Sequence, residues 1–233
     1  MMNRVEDLTV PRQPEVDHDL IQRTFEGVVS SRVRDRLLAD PNHLRLDGVR
    51  QPVTILFAAI HEFTLFSERT PPHVSFEVLN GYLSHAATAI LDEEGTLTRF
   101  VGDAVTAVWN APDLQEDHAL RAVRAASAID RAIKAHRTLL DYTYRLYFSF
   151  GIATGEAALG NAGAGQLFHY TAIGDTVDLA QRLESIARPG QILLAYPTYR
   201  EIADRVIARE VPLEQIEGLR GSFDAYELLS DVF

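Results

Sequence analysis

The chain has 233 residues, 46% hydrophobic and 24% charged, with no cysteine. This composition suits a globular domain that buries most of its apolar surface, and it excludes a disulfide framework and cysteine-ligated zinc. The 33 acidic residues against 22 basic give a net charge of −11, which disfavours nucleic acid and anionic lipid as partners.

Residues 1–16 contain Pro11 and Pro14, show no apolar periodicity and read as a flexible lead-in. Glu6, Asp7 and Asp17 stand where a signal peptide needs an apolar core. From Asp17 to Ala39, the residues Ile21, Phe25, Val28, Val29, Val33 and Leu37 recur at helical spacing, and Asp40-Pro41 stops the run. Pro41–Pro52 is a connector, so residues 17–52 form an N-terminal helix and connector ahead of a domain at 53–233.

Val53–Ala58 is a near-continuous apolar run with β-branched residues, the pattern of a strand buried on both faces. Val74–Leu91 follows as an amphipathic helix, and Glu94-Gly95 as a turn. Leu97–Val101 and Ala104–Trp109 are short strands separated by Gly102-Asp103, a two-residue hairpin signal. His118–Ala135 is a second helix with Ala119, Ala122, Val123, Ala126, Ile129 and Ile133 on one face. Strand Tyr144–Thr154 comes next, then Glu156–Leu159. The remainder reads as helix Thr176–Ala187, strand Gln191–Ala195, helix Tyr196–Ala203 and strand material near Val211 and Tyr226–Leu229.

The fold class is therefore α+β: a ferredoxin-like βαββαβ core, its helices on one sheet face, with an N-terminal helix and C-terminal αβ additions. The longest apolar runs, such as Val53–Ile60, fall far below the roughly 20 residues of a membrane span. The expectation is a soluble cytoplasmic domain. Trp109, on a strand with apolar neighbours, reads as core, and no histidine pair has metal-ligand spacing.

Val53–Thr64 (VTILFAAIHEFT), Arg99–Pro112 (RFVGDAVTAVWNAP), Glu116–Ala125 (EDHALRAVRA), Phe150–Gly160 (FGIATGEAALG) and Tyr170–Ser185 (YTAIGDTVDLAQRLES) together resemble the class III nucleotide cyclase homology domain, bacterial branch. The likeness covers roughly residues 45–230. Phe25–Gly48 is similar to the stretch joining an upstream sensor to such a domain; a plain helix packed on its own domain is the alternative.

The resemblance implies conversion of a nucleoside triphosphate, ATP or GTP, to a 3′,5′-cyclic monophosphate and pyrophosphate. Mg²⁺ or Mn²⁺ ions about 3.5–4 Å apart would stabilise the attacking and leaving oxygens, held by hard carboxylate oxygens. It also implies a head-to-tail homodimer, or a heterodimer with another cyclase chain, in which each site takes residues from both protomers. Asp103 matches one metal carboxylate, though turn aspartates are common. Ala59 stands where the family has aspartate, and a methyl group ligates nothing. Glu62 stands where the family prefers glycine and makes a poor substitute ligand. Ile60, Phe63 and Thr64 match the loop whose backbone N–H groups hold phosphates.

Arg99 occupies the base-reading lysine position, and the two side chains are not equivalent. Thr171 matches a base-reading threonine of one bacterial adenylate cyclase subgroup, or is an ordinary strand-end threonine. Asp178 replaces the transition-state asparagine, which puts an anion where a donor belongs, while Arg182 is kept four residues later. Losing one such donor typically costs roughly 10²–10³ in rate. The leading expectation is a cyclase-type signalling domain with impaired catalysis. An active enzyme with a rearranged or heterodimer-complemented site and a purely structural dimerisation domain are the alternatives.

Overall fold

A computed structural model describes residues 28–39, 48–164, 167–212 and 224–231; the lead-in and residues 17–27 of the expected N-terminal helix lie outside them. Within the described residues the first helix, α1 (Ser31–Ala39), begins after a turn instead of running through Val28 and Val29. Val29 is buried and the Val28 carbonyl accepts a hydrogen bond from Leu97 N–H at 2.7 Å. Arg36 pairs with Glu94 at 3.0 Å and Asp113 at 2.6 Å. The described part of α1 thus packs on its own domain.

The first strand, β1 (Val49–Ile60), starts at Val49 where a connector was expected to reach Pro52. Its pairing with the later strand β4 (Phe148–Ala164) extends to Val49↔Leu159. In Val49–Pro52 partly buried and exposed residues alternate, and only Val53–Ala58 is buried throughout. The two-face apolar pattern belongs to the second stretch alone. A short helix α2 (Phe63–Glu68) and a long α3 (Pro72–Asp92) follow, α3 with Pro72 at its first position, where the missing N–H is harmless.

Strands β2 (Thr96–Val101) and β3 (Ala104–Trp109) form the expected hairpin, with Val101 opposite Ala104. Gly102 supplies the positive φ, +60°, at the first loop position. Helix α4 (His118–Arg137) leads through a 3₁₀ turn at Tyr142–Tyr144 to β4, so the expected strand start at Tyr144 moves to Phe148. The Tyr82 hydroxyl fixes that turn, donating to the Tyr144 carbonyl at 3.0 Å and accepting from Leu146 N–H at 2.9 Å. β4 also absorbs Glu156–Leu159 and pairs with β5 (Leu167–Ile173), a strand the sequence pattern did not separate. Helix α5 (Asp175–Ile186), β6 (Ile192–Ala195), α6 (Tyr196–Ile202), β7 (Val206–Pro212) and β8 (Asp224–Asp231) complete the described chain.

The sheet order is β2-β3-β1-β4-β6-β8-β7, with β5 paired to β4. Its first four strands, with α3 and α4, are the βαββαβ unit. Because side chains alternate across a strand, β1 serves two cores. Leu56, Ala58 and Ile60 meet Tyr82 and Ile90 of α3 and Val123 and Ile129 of α4. Val53, Ile55 and Phe57 meet Val177, Ala180 and Leu183 of α5 on the other face. That two-sided cover explains the continuous apolar run.

Trp109 is fully buried and its indole N–H donates to the Glu93 carbonyl at 2.9 Å, as a core residue should. His118 is buried too, its Nδ1 2.7 Å from Thr54 Oγ1, which lies 2.8 Å from Thr154 Oγ1. It is a structural histidine joining α4 to β1 and β4. No helix among the described residues is long and apolar enough to cross a membrane.

Candidate active site

The end of β1 meets the β2–β3 turn. Ala59 pairs with Ala104 on one side and Ser149 on the other, and Ile60 N–H donates to the Asp103 carbonyl at 3.2 Å. The fold therefore brings Ala59 and Asp103 together as their sequence positions imply. Asp103 is half-buried, and Ala59 presents only a methyl group. Mg²⁺ and Mn²⁺ are held by oxygen donors, and the side chain at this position of β1 offers none. The carboxylate at this sheet end is that of Asp103, and β1 contributes no carboxylate at position 59. Among the described residues, no group of three or more His, Cys, Asp or Glu is gathered to hold a metal ion.

Of the three residues expected to present phosphate-binding N–H groups, Ile60 is otherwise engaged. Its N–H belongs to the Asp103 bond and its side chain is buried. The sheet ladder simply runs one residue further than a loop would. His61 N–H is likewise bonded, to the Tyr147 carbonyl at 2.8 Å. Phe63 and Thr64 form the first turn of α2, where N–H groups have no intrahelical acceptor. Glu62, just before them, has φ 57° and makes no side-chain cap. This left-handed backbone is the conformation glycine adopts without strain, which accounts for glycine suiting this position.

Arg99 is exposed on edge strand β2, opposite Thr106 and beyond a bulge that follows Leu97. Phe100, Val101 and Ile173 are exposed near it, and β5 comes against β2, so Arg99 and half-buried Thr171 sit on touching elements. Thr171 pairs with Gly160 on β4. Asp178 is exposed on α5, and Arg182 is half-buried one turn later on the same side.

Glu184 also comes to this side of the sheet, although its motif did not mark it out. Helix α5 buries Thr176, Val177, Ala180 and Leu183, with Ala187 just beyond it. Glu184 falls in that same stripe, four residues after Ala180 and three before Ala187. At 100° per residue it lies on the opposite side of the helix from Arg182. Burial, with the charge of Asp103 adding to it, pushes the Glu184 carboxyl up to about 7. An acid within a buried helical stripe was the available sequence signal. What it faces depends on the packing of α5 against the sheet.

The single chain thus gathers Ala59, Asp103, Ser149 and Glu184 at one sheet end. Asp178 and Arg182 face away from that cluster on the far side of α5, so one chain does not unite all the expected site residues.

Comparison with known proteins agrees with this architecture. The family model for the adenylate and guanylate cyclase catalytic domain matches residues 48–228. Adenylate cyclase 1 of Rhizobium meliloti (strain 1021) is 29% identical, over 99% of this chain and 37% of its own length. The terminal-differentiation-specific adenylate cyclase of Dictyostelium discoideum is 29% identical, over 78% of this chain and 9% of its own length. The chain therefore spans well under half of these curated relatives. Among solved structures, the adenylyl cyclase CyaB from P. aeruginosa superposes with a TM-score of 0.75 at 31% identity, covering 80% of this chain and 97% of that one. The guanylyl cyclase Cya2 gives 0.73 at 31% identity, covering 79% and 94%. With an α+β architecture that superposes on these structures and a family match over most of its length, this chain belongs to the adenylate and guanylate cyclase catalytic domain family.

Proposed function

We propose that this chain is a cyclase-type signalling domain that keeps the fold and nucleotide-site framework of its family but has impaired turnover. The carrying observation is Ala59 at the strand end against the Asp103 turn, where a carboxylate is needed and a methyl group stands. In this reading Asp103 remains as a metal ligand, and the N–H groups of Phe63 and Thr64 meet the phosphates. Arg99 and Thr171 face the base of ATP or GTP. Asp178 and Arg182 act across a head-to-tail pair on the other protomer's nucleotide, because they face away from their own chain's Asp103. Exposed Phe100, Val101 and Ile173, beside Arg99, support pairing through that surface.

Electrostatics argue for slow chemistry as well as weak metal binding. Asp178 would put a negative charge beside a developing anionic transition state, where a donor is worth roughly 10²–10³ in rate. The much greater length of the relatives fits an upstream sensor domain joined through α1. The test is to incubate the purified chain with ATP or GTP and Mn²⁺ and quantify cyclic nucleotide. We expect at most trace product, together with a rise in melting temperature on adding nucleotide and Mn²⁺. Robust turnover would refute the impairment.

A further inference from the structure

We propose that His85 and His136, which face each other where α3 packs on α4, form a proton-sensitive joint: when both rings are charged, the turn that seats the start of α2 is released. The opening itself stands on the geometry of the chain. Its consequence for nucleotide binding rests on the cyclase-type reading above.

The two rings come from different helices, His85 from α3 and His136 from the last turn of α4, and their centroids lie 4.7 Å apart. Both residues are half-buried. The Tyr82 ring meets His136 edge-on at 5.6 Å, and a Cβ placed on Gly81 would stand 3.7 Å from His136 Nε2. The other titratable and charged groups around the pair are Tyr82 on α3, Arg137 on α4 and Tyr147 just ahead of β4. The Arg137 guanidinium lies 3.4 Å over the Tyr147 ring and puts a fixed positive charge next to His136. Lys134, in the same last turn, is held by Asp130 at 2.6 Å. Burial, with the charge of His85 adding to it, lowers the His136 pKa.

Tyr82 connects this pair to the candidate site. Fully buried, it donates its hydroxyl hydrogen to the Tyr144 carbonyl and accepts from Leu146 N–H at 2.9 Å. The Tyr144 ring stands edge-on to Phe66 of α2 at 6.1 Å, and Phe66 meets Phe63 at 5.7 Å. One residue after Leu146, the Tyr147 carbonyl accepts from His61 N–H at 2.8 Å. The turn that Tyr82 pins therefore supports both the end of β1 and the helix start at Phe63 and Thr64. A first proton on the pair sets one charge against a neutral ring. A second sets two like charges 4.7 Å apart in a half-buried place, where water screens them poorly. Opening separates the rings and lets both titrate near the ordinary value of about 6.5, so acid favours the open form. The stabilisation is present above that value and is lost as pH falls below it.

The test measures backbone amide exchange in the full chain, without nucleotide, at pH 7.5 and pH 5.5, with each rate compared to that of an unstructured peptide at the same pH. Protection at Leu146 and His61 should fall at least about tenfold, because two like charges at this spacing repel by more than that factor at an effective dielectric of about 20. In His85→Gln, and separately in His136→Gln, the fall should shrink to under about threefold. His118→Gln, which removes a buried histidine elsewhere, should keep the full fall. Melting at pH 7.5 confirms that each variant is folded, and His85→Gln decides alone if His136→Gln is not. Parent protection that is equal at the two pH values, an equal fall in His85→Gln, or a fall abolished by His118→Gln overturns the assignment. Cyclic product from the parent would refute impairment and leave this result standing.

Discussion

Replacing Gly151 with alanine probes how firmly α5 is seated on the sheet. The added Cβ would lie 2.1 Å from the Ala180 carbonyl oxygen, 2.3 Å from the Glu184 nitrogen and 2.9 Å from Leu183 Cβ. Ordinary contact begins at 3.4 Å, so the helix must withdraw by 3.4 − 2.1 = 1.3 Å along the shortest of these. Two of the three neighbours are backbone atoms, which no rotamer change can move aside. Inserting a methyl group into a packed core typically costs about 1–3 kcal/mol, and with backbone on the receiving side we expect about 3 kcal/mol. For a domain of this size that corresponds to a fall in melting temperature of roughly 6–12 °C. Calorimetry on parent and variant measures it. Gly81→Ala is the control: its Cβ would meet only His136 Nε2, at 3.7 Å, and inside helix α3 it should gain up to about 1 kcal/mol. A Gly151→Ala protein melting within about 1 °C of the parent would refute the reasoning.

Ala59→Asp restores a metal carboxylate and should raise cyclic-nucleotide formation above the parent. Adding Asp178→Asn should raise it by a further factor on the order of 10², and equal rates in parent, single and double variants would show that neither position limits turnover. Glu62→Gly removes a left-handed non-glycine residue and should stabilise the fold by about 1 kcal/mol, read as a higher urea midpoint; a lower midpoint contradicts it. His118 has its pKa lowered by burial, opposed by the charges of Glu201 and Asp117. The unfolded chain thus takes up the proton first, at about 6.5. The stabilisation is full above that value and is lost as pH falls below it towards the folded pKa. His118→Asn should flatten the stability difference between pH 7.5 and pH 5.5, and an unchanged difference would assign the acid sensitivity elsewhere.

Local pattern carried most of the element list. The alternation limits of β2 and β3, the Gly102-Asp103 turn and the stripes of α3 and α4 are legible because each is written within a few consecutive residues. Their structural limits differ from the expected ones by only a few positions. The misses have non-local causes. Val49–Pro52 joins the sheet through pairing with residues 156–159 of β4, and β5 exists because β4 continues long enough to carry it. Val49–Pro52 has no continuous apolar run of its own.

The site divides in the same way. Ala59, Arg99 and Asp178 are visible as departures because each sits inside a motif whose neighbours are intact. Glu184 escapes notice because its motif is matched and its meaning is positional. Ile60 was expected to present an N–H that the structure gives to Asp103.

By itself the sequence determined the family, the order of the βαββαβ core elements, the two-sided burial of β1 and the absence of a carboxylate at position 59. These depend on residue identity and short-range periodicity. Tertiary structure alone decided that α5 covers the second face, with Asp178 on its exposed side and the backbone of Glu184 seated over Gly151. Those relations come from strand register and from the notch at Gly151. Both bring together residues far apart along the chain, and spacing along the chain does not encode them.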